Sequence, residues 1–324
     1  MARSALVLGG TRFVGRHLTE RLLDQGWEVT LFNRGRTAPG PAATTRLIGD
    51  RSADVSALAD GRWDVVFDVN AYLPEHVRRS GEALVGRVGH YVYVSTVSVY
   101  ADLGRSGLTE DDATSTWDGP HEVTGDSYGP LKAMCERVAA ELFPGLTVVR
   151  PSVVAGPFDH TDRFTYWVVR LPDPGARLVP DELDAPTQYV DARDLAAFTE
   201  RLGDGSVSGV FNAAAPPTTF GALLRGVAET LAVPLRLAPV PYGRLVEHGV
   251  EGWSGIPLFL PTDAGRARGL LQVDTTRAVA AGLSTRPLAD TVRDTAVWWR
   301  REGRTDLVCG LEPAREAALV AELA

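Results

Sequence analysis

The sequence predicts an α/β protein built on a doubly wound parallel sheet, with a smaller α/β domain partly interleaved with it. Short apolar runs alternate with stretches of helical spacing through the first half of the chain, which is typical of β-α-β units with right-handed crossovers. A glycine pair, Gly9-Gly10, separates the first apolar run from the first helical stretch. With 324 residues, 44% hydrophobic and 23% charged, the chain reads as an ordinary globular protein large enough for two domains.

The first predicted strand, Ser4–Leu8, is continuously apolar and stops at the glycines, as a strand buried on both faces does. Apolar residues at helical spacing follow it from Phe13 to Gln25. The later strands are predicted at Glu28–Phe32, Arg46–Ile48, Asp64–Val69, His90–Thr96 and Leu146–Arg150. The later helices are predicted at Ala53–Leu58, Pro74–Leu84 and Leu131–Leu142.

Beyond about Phe164 the rhythm changes and proline and glycine become dense. Tyr189–Phe198 and Val210–Ala214 then predict a return to strand and helix. We therefore expect a first domain of residues 1–163 that includes a return segment, 187–214. The second domain comprises residues 164–186 and 215–324.

Charge and composition exclude several classes of protein. A net charge of -8 and a pI near 5.3 argue against binding nucleic acid through phosphate contacts. Cys135 and Cys309 are too few for a disulfide scaffold, and no apolar run is long enough to span a bilayer. We expect a cytoplasmic protein without a membrane partner. We also expect no metal site, because no group of residues has the spacing of metal ligands.

The glycine-rich turn Gly9–Gly15 lies where a dinucleotide-binding turn belongs, between the first strand and the first helix. Glycines permit a tight turn and a close approach of the backbone to a pyrophosphate, and the helix N-terminus favours the anion. The position of the turn therefore indicates a dinucleotide site. The alternative is a turn that begins a helix and binds no ligand.

The end of the second strand indicates which dinucleotide. An NAD site places an acidic residue here to bind the ribose 2′-hydroxyl, but the sequence reads Phe32-Asn33-Arg34. Arg34 and Arg36 follow the strand, and Arg12 lies in the first turn. Because guanidinium groups suit a 2′-phosphate, we predict NADP(H) in preference to NAD(H). Solvated loop arginines in an arginine-rich chain are the alternative.

Lys132 is the only lysine among the 33 basic residues of the chain. It follows Tyr128 by four residues, so on a helix both side chains point to the same side. A phenol with a pKa near 10 is a poor base at neutral pH, and a nearby ammonium would lower that pKa. The spacing therefore predicts a proton-transferring tyrosine assisted by lysine, a role in which arginine, which does not titrate, cannot serve.

The fifth strand supplies candidates for a third catalytic residue. The apolar alternation Tyr91–Tyr100 predicts a strand that contains Ser95, Thr96 and Ser98. The carboxyl ends of parallel strands face the crevice in which ligands bind. Thr96 or Ser95 is therefore expected to hydrogen-bond a substrate carbonyl or hydroxyl.

These features together resemble the extended short-chain dehydrogenase/reductase family, the group that includes NAD-dependent epimerases and dehydratases. The resemblance rests on Gly9–Gly15, Tyr93–Tyr100, Tyr128–Lys132, Arg150–Pro157 and Gln188–Ala196. It implies a Rossmann dinucleotide-binding domain and a substrate-binding domain, with Tyr128 as the general acid/base. It also implies that Lys132 holds the nicotinamide ribose and that Thr96 polarises the substrate oxygen.

The resemblance further implies a set of cofactor contacts. Asp50 and Arg51 match the adenine-side pair, and Asn70 with Ala71 matches the loop beside the pyrophosphate. The full expected set is Gly9, Gly10, Thr11, Arg12, Phe13, Val14, Gly15, Asn33, Arg34, Asp50, Arg51, Asn70, Lys132, Pro151, Ser152 and Val153. One departure is Arg12, which occupies a position where the extended pattern has glycine. In this respect the turn is similar to that of plant chloroplast stem-loop RNA-binding proteins and of many unassigned bacterial reductase-like proteins.

Three functions remain open at the level of sequence. The first is an NAD(P)-dependent oxidoreductase that transfers hydride at a secondary alcohol or ketone of a small polar substrate. The second is a sugar-nucleotide epimerase that uses tightly bound NAD for transient oxidation. The third is a non-catalytic nucleotide- or RNA-binding member of the fold. A homodimer is left open as the assembly.

Substrate contacts are expected after the sixth strand and in the second domain. The residues 158–163 follow that strand and are expected near the mouth of the crevice. The candidate substrate residues are Ser98, His160, Arg163, Trp167, Gln188 and Trp253. A bystander histidine and tryptophans that pack in a core are the alternatives.

Overall fold

The structure is a computed structural model that describes residues 2–36, 40–262 and 268–323. Its first half alternates strands with helices, as expected. The elements in chain order are β1 (Ser4–Leu8), α1 (Phe13–Asp24), β2 (Glu28–Asn33), β3 (Thr45–Ile48), β4 (Trp63–Asp68), α2 (Pro74–Leu84), β5 (Val88–Val94), α3 (Tyr128–Leu142) and β6 (Thr147–Pro151).

The second half mixes short strands with helices. Its elements are β7 (Val153–Ala155), α4 (Thr165–Arg170), β8 (Arg177–Pro180), β9 (Pro186–Thr187), β10 (Tyr189–Asp191), α5 (Ala192–Asp204), β11 (Gly209–Ala213), β12 (Thr218–Thr219), α6 (Phe220–Leu231), β13 (Leu237–Val240), α7 (Tyr242–Glu247), α8 (Thr276–Ala280), α9 (Leu288–Glu302) and α10 (Pro313–Leu323).

Seven strands form one parallel sheet in the order β11-β6-β5-β4-β1-β2-β3. The order reverses at β1, which pairs with β4 on one side and with β2 on the other. This confirms the predicted doubly wound parallel sheet. The last strand of the sheet, β11, pairs with β6, although β7–β10 and α5 come between these two strands in the chain. The predicted return segment thus contains β10, α5 and β11, while the division into two domains stays a prediction.

Helices cover both faces of the sheet. Alternate residues of β1 point to opposite faces, so Ala5 and Val7 lie in one apolar cluster and Leu6 and Leu8 in another. The first cluster is covered by α1 and α5 and the second by α2 and α3. The sheet is therefore buried on both faces, and its strand ends are left to form a site.

A third apolar cluster lies outside the sheet, in the second half of the chain. It is built around Trp167, Phe220 and Phe259, which are at most 1% exposed. The last helix, α10, is attached to this part of the molecule by Glu316, which is 1% exposed. The Glu316 carboxylate accepts hydrogen bonds from the guanidinium groups of Arg170 and Arg177, at 2.6 and 2.8 Å.

Two predicted elements differ from the structure. The fifth strand was expected to reach Thr96 or Tyr100, but β5 ends at Val94 and Val97–Val99 forms a short 3₁₀ helix. Apolar residues in this turn are buried against other loops, so their alternation did not arise from a strand. The helix predicted at Ala53–Leu58 is only a 3₁₀ turn, Ser56–Leu58.

Candidate active site

A cleft of about 1060 Å³ lies at the carboxyl ends of the sheet strands. Its walls come from the glycine-rich turn, the segment after β5, the start of α3, the segment after β6 and loops of the second half. Tyr128 and Lys132 both line it, one helical turn apart. This is the crevice in which an open α/β sheet binds its ligands.

The glycine-rich turn is shaped so that only glycine fits at key positions. Gly9 and Gly10 have φ of +118° and +88°, a backbone region that other residues rarely adopt. At Gly15, a Cβ atom would lie 2.7 Å from the backbone nitrogen of Gly10. Phe13 and Val14 line the cleft, Thr11 is partly buried and Arg12, the N-cap of α1, is exposed. The turn therefore brings the α1 N-terminus close to the cleft, as a bound pyrophosphate requires.

The end of β2 carries a group of hydrogen-bond donors. Arg34 and Arg36 are exposed here, and their charges help to lower the pKa of Asp50, chiefly set by hydrogen bonds from Ser52. A third arginine, Arg46 of β3, donates to Asn33 Oδ1 at 3.3 Å. The buried Asn33 Nδ2 and Arg46 Nε have no hydrogen-bond partner in the structure. Sequence reasoning missed Arg46, because only the β2–β3 pairing brings it here.

Arg51 is not at the cofactor surface, which corrects the expectation of an adenine contact from its side chain. Its guanidinium is buried and donates to Asp68 Oδ1 at 2.6 Å and Oδ2 at 2.5 Å. Tyr91 also donates to Asp68. A buried guanidinium needs a carboxylate partner. The Arg51–Asp68 ion pair therefore connects the segment after β3 to the end of β4. Asn70, just beyond β4, is exposed.

Lys132 is 4% exposed, and its ammonium lies between two backbone carbonyls. Nζ donates to Ala71 O at 3.0 Å and to Val94 O at 2.8 Å, and lies 4.3 Å from the centre of the Tyr93 ring. Burial lowers its pKa to about 8. Since an ammonium has three donors, one remains for a ligand in the cleft.

Tyr128 is held against the segment after β5. Its phenol lies close enough to the Thr96 side chain for Thr96 to lower its pKa. The next residue, Gly129, approaches that segment so closely that a Cβ atom would lie 2.1 Å from Ser98 O. Thr96 is 8% exposed and accepts a hydrogen bond from Ser98 N at 3.2 Å. The structure thus brings Thr96, Tyr128 and Lys132 to one cleft.

The pKa of Tyr128 differs from the sequence expectation. Burial raises it to about 12, and the cation that opposes the rise is Arg163. Lys132 is not among the groups that shift it, so the expected lowering by the lysine ammonium is wrong for this structure. The ammonium is directed instead at the carbonyls after β4 and at the end of β5.

Two serine hydroxyls lining the cleft have no hydrogen-bond partner in the structure. Ser95 is 5% exposed and Ser152 is 7% exposed. Pro151 and Val153 line the cleft on either side of Ser152. An unpaired buried hydroxyl costs free energy, so these two groups fit a site built to hydrogen-bond a polar ligand beside an apolar wall.

The candidate substrate residues divide into two groups. Ser98, His160, Arg163 and Trp253 line the cleft. The pKa of His160 is lowered by burial and by the charges of Arg12 and Arg163, which keeps the imidazole neutral at pH 7.

Trp167 and Gln188 do not line the cleft, which corrects the expectation that they bind substrate. Trp167 is 1% exposed in the core of the second half, where its indole donates to Pro257 O at 2.7 Å. Gln188 is fully buried, and its amide donates to Ala215 O and Val273 O and accepts from Val273 N. These partners lie far away in sequence, so no local pattern could have revealed them.

Sequence reasoning missed several residues of the cleft wall. Tyr72 lies with its ring centre 6.2 Å from that of Tyr128 and 5.7 Å from Lys132 Nζ. Asp102 and Asp126 belong to the long segment between β5 and α3 and also line the cleft. Tyr72 could have been found as the residue after Asn70-Ala71, but the two aspartates are two among 41 acidic residues.

The family model described as "NAD dependent epimerase/dehydratase family" matches residues 5–214. The chain belongs to this family. The match covers the central sheet, Thr96, Tyr128, Lys132 and the return strand β11. It confirms the resemblance noted from the sequence.

Among similar proteins is the chloroplast stem-loop binding protein of 41 kDa b of Arabidopsis thaliana, 28% identical over 253 residues. The matched region is 72% of this chain and 64% of that protein, so this chain spans less than two thirds of its relative's length.

Two solved structures share the fold at low sequence identity. WbmH of Bordetella bronchiseptica, in complex with NAD+, is 17% identical with a TM-score of 0.70, over 94% of this chain and 100% of that one. The UDP-N-acetylglucosamine 4-epimerase of Methanobrevibacter ruminantium M1, in complex with UDP-N-acetylmuramic acid, is 16% identical with a TM-score of 0.70. The match covers 93% of this chain and 99% of that one. At these identities the likeness shows the fold.

Two kinds of feature are absent from the described residues. No described helix has both the length and the apolar character needed to cross a membrane. No three His, Cys, Asp or Glu side chains within residues 2–36, 40–262 and 268–323 are grouped so as to hold a metal ion.

Proposed function

We propose that the protein is an NAD(P)-dependent oxidoreductase that transfers hydride at a secondary alcohol or ketone of a small polar substrate, with Tyr128 as the general acid/base. The observation that carries the proposal is the arrangement in the cleft. The Tyr128 phenol lines the cleft together with Thr96, one helical turn from a buried ammonium that has one N–H left for a ligand.

The residues of the cleft fit a nicotinamide dinucleotide. The glycine-rich turn would hold the pyrophosphate, and Lys132 would bind the ribose. The unpaired hydroxyls of Ser95 and Ser152 would hydrogen-bond polar groups at the nicotinamide end of the cofactor. When bound, the nicotinamide supplies or accepts the hydride.

The protonation states favour the reductive direction. With a pKa of about 12, Tyr128 keeps its proton at neutral pH and can donate it to a substrate oxygen. Thr96 lies beside it to hydrogen-bond the same oxygen, and such a preorganised contact is worth about 3 kcal/mol in the transition state. In the oxidative direction the phenolate is required, so activity should rise with pH.

Tyr128→Phe tests the mechanism. The variant removes the transferable proton and leaves the ring, so we expect at least about a hundredfold loss of cofactor-linked turnover with little change in cofactor affinity. The measurement is NADPH or NADH oxidation with a panel of ketones and aldehydes. Full activity in this variant would refute the assignment of Tyr128.

The group of Asn33, Arg34, Arg36 and Arg46 supports NADP(H) over NAD(H), because it offers cations and unpaired donors where the adenosine ribose would lie. Titration calorimetry with NADP+ and NAD+ tests this preference. We expect Arg46→Ala and Arg34→Ala to weaken NADP+ binding by about tenfold each and to leave NAD+ binding nearly unchanged. Tighter binding of NAD+ by the wild type would overturn the preference.

A sugar-nucleotide epimerase is the second candidate. It is favoured by the family itself and by neighbours solved with NAD and sugar nucleotides. In such an enzyme the same residues would oxidise and re-reduce the substrate with no net change in the cofactor. Stoichiometric release of oxidised cofactor separates the two candidates, since it occurs only in the reductase.

RNA binding is a third candidate because of the printed name of the Arabidopsis relative. A net charge of -8 and the intact Tyr128/Lys132 pair count against it. Gel-shift titration with a stem-loop RNA at two salt concentrations would decide, since phosphate-mediated binding weakens steeply with salt.

A further inference from the structure

The side chain of Arg163 is a cation of the cleft wall without a carboxylate partner among the described residues. The preceding residue, Asp162, does not neutralise it. Both oxygens of the Asp162 carboxylate are bonded to Arg304, at 2.9 and 2.6 Å, and one also accepts from Val308 N. Asp159 is close enough for its pKa to be affected by Arg163, but its Oδ1 is bonded to Thr161 and its Oδ2 has no hydrogen-bond partner.

The Arg163 guanidinium is oriented by an aromatic ring. It lies 4.7 Å from the centre of the Trp253 ring, which also lines the cleft. Trp253 has φ of +70°, a left-handed conformation that is unusual for a bulky residue, and its backbone nitrogen donates to Ile256 O and Phe259 O. Strained residues of this kind persist where the surrounding structure holds them in place, and they cluster at binding sites.

Arg163 acts near the reacting group. Arg163 and Tyr128 line the same cleft, and the positive charge of Arg163 opposes the rise in the pKa of Tyr128. Asp102 and Asp126 line that cleft as well. Arg12, the other cation that acts on His160, belongs to the glycine-rich turn proposed to hold the pyrophosphate. Arg163 and the two aspartates therefore match a single negative charge on the substrate better than the two charges of a diphosphate.

We propose that Arg163, supported by Trp253, binds a carboxylate of the substrate close to the carbon that undergoes hydride transfer. The inference rests on the proposed oxidoreductase function and narrows its substrate to a hydroxy or keto acid. A planar guanidinium held over an indole ring keeps its N–H donors, which lie in the plane of the group, for bidentate contact with a carboxylate.

The test uses pairs of ligands that differ only in charge. Lactate with lactamide, 3-hydroxybutyrate with 3-hydroxybutyramide, and glucuronate with glucuronamide are titrated into the full chain, with and without NADP+, and followed by thermal shift and calorimetry. We expect at least one carboxylate to bind about tenfold or more tightly than its amide, as a charge-assisted bidentate contact provides.

The variants separate the roles of charge and stacking. Arg163→Gln should abolish the preference for carboxylate, and Arg163→Lys should keep part of it because the charge remains. Trp253→Leu keeps the arginine but removes the ring, so the preference should fall several-fold. Arg293→Gln, which removes an exposed arginine paired with Asp290 on α9, is the matched control and should behave as the wild type.

Each outcome decides the proposal. A carboxylate preference that disappears in Arg163→Gln supports it. The absence of such a preference in all three pairs, or its survival in Arg163→Gln, overturns it, as does binding of inorganic phosphate in place of the carboxylates. Binding requires no turnover, so these results stand even if Tyr128→Phe retains activity and the proposed function itself fails.

Discussion

Lys132 shows what a single residue contributes to this site. Elsewhere the chain meets its need for positive charge with arginine, whose planar guanidinium is larger than an ammonium. At position 132 the head group must fit between Ala71 O and Val94 O and lie against the Tyr93 ring, in a place that is 4% exposed. The space and the directions of the acceptors, more than the charge, exclude arginine.

Lys132→Arg should therefore lose most of the activity. The guanidinium cannot lie between the two carbonyls without displacing them, and displacements of about 1 Å in an active site can cost about a hundredfold in rate. We expect a loss of that size in kcat/KM with a folded protein, measured by steady-state kinetics and circular dichroism. Normal activity would show that the position needs only a cation.

Lys132→Met tests the cost of burying the ammonium. The pKa of Lys132 is lowered from 10.5 to about 8 in the folded protein, so between these values the unfolded chain binds more protons than the native one. Wild-type stability should therefore rise with pH over this window relative to the methionine variant, by about 1–3 kcal/mol between pH 7 and pH 10. Urea denaturation at both pH values measures the difference.

Titrations that Lys132 does not influence cancel in the comparison with the variant. Cys135, whose pKa is lowered in part by Lys132, has a native pKa of about 11, which lies above this window. A difference in unfolding free energy that stays constant from pH 7 to pH 10 would show that Lys132 titrates normally.

At the scale of elements, the site depends on how closely α3 packs against the segment after β5. Gly129 makes this approach possible, because its missing side chain leaves room for Ser98 O. The 3₁₀ turn Val97–Val99 is capped by the Thr96 side chain, so Thr96 and Ser98 are fixed opposite the start of α3. The helix and the turn together set the distance between the phenol and Thr96.

Gly129→Ala should separate the two elements. The new methyl group would lie about 2 Å from a backbone oxygen, so we expect a loss of about 1–3 kcal/mol in unfolding free energy and a large loss of turnover. Gly125→Ala is the matched control for stability, since no atom lies within 4 Å of a Cβ atom there. Equal stability of the two variants, measured by urea denaturation, would contradict the close packing.

The sequence predicted elements well where local patterns decide them. Pro74–Leu84 matches α2 at both ends, and β1 matches Ser4–Leu8. The prediction from sequence failed where contacts with residues far away in the chain determine the local structure. Residues 97–100 alternate as a strand does, but Val97, Val99 and Tyr100 are buried in and beside a 3₁₀ turn.

The same limit applies to the site. The spacing of Tyr128 and Lys132 was visible because both belong to one helix. The burial of Arg51, Trp167 and Gln188 depends on Asp68, Pro257 and Val273, which only the tertiary fold brings near. Which cation acts on Tyr128 could not be predicted either, because Arg163 belongs to a different element.

At the scale of the whole molecule, the last helix is joined to the second half through one buried carboxylate. Glu316 of α10 accepts hydrogen bonds from Arg170, Arg177 and the backbone nitrogen of Leu178. These partners lie in α4 and β8, so one side chain connects three elements. Both arginines are 4% exposed. Glu316 is the only carboxylate partner of Arg177 among the described residues, whereas Arg170 also pairs with Asp173.

Glu316→Ala should destabilise the protein strongly. Removing the carboxylate leaves the buried Arg177 without a carboxylate partner and Arg170 with only Asp173. We therefore expect a cost of about 3–5 kcal/mol, with faster proteolysis of the last helix. Glu322→Ala, on the same helix with an exposed side chain, should change stability by less than about 0.5 kcal/mol. A similar, small effect of both substitutions would show that α10 is held by apolar packing alone.

The position of β11 at the edge of the sheet matters for synthesis. Strand β6 pairs with β5 on one side, and its other side stays bare until β11 has been made, because residues 152–208 come between them. At about 5–20 residues per second this takes roughly 3–11 s. An unpaired strand edge can template association with other chains, so the nascent protein is exposed to misassembly until Ala213 has left the ribosome.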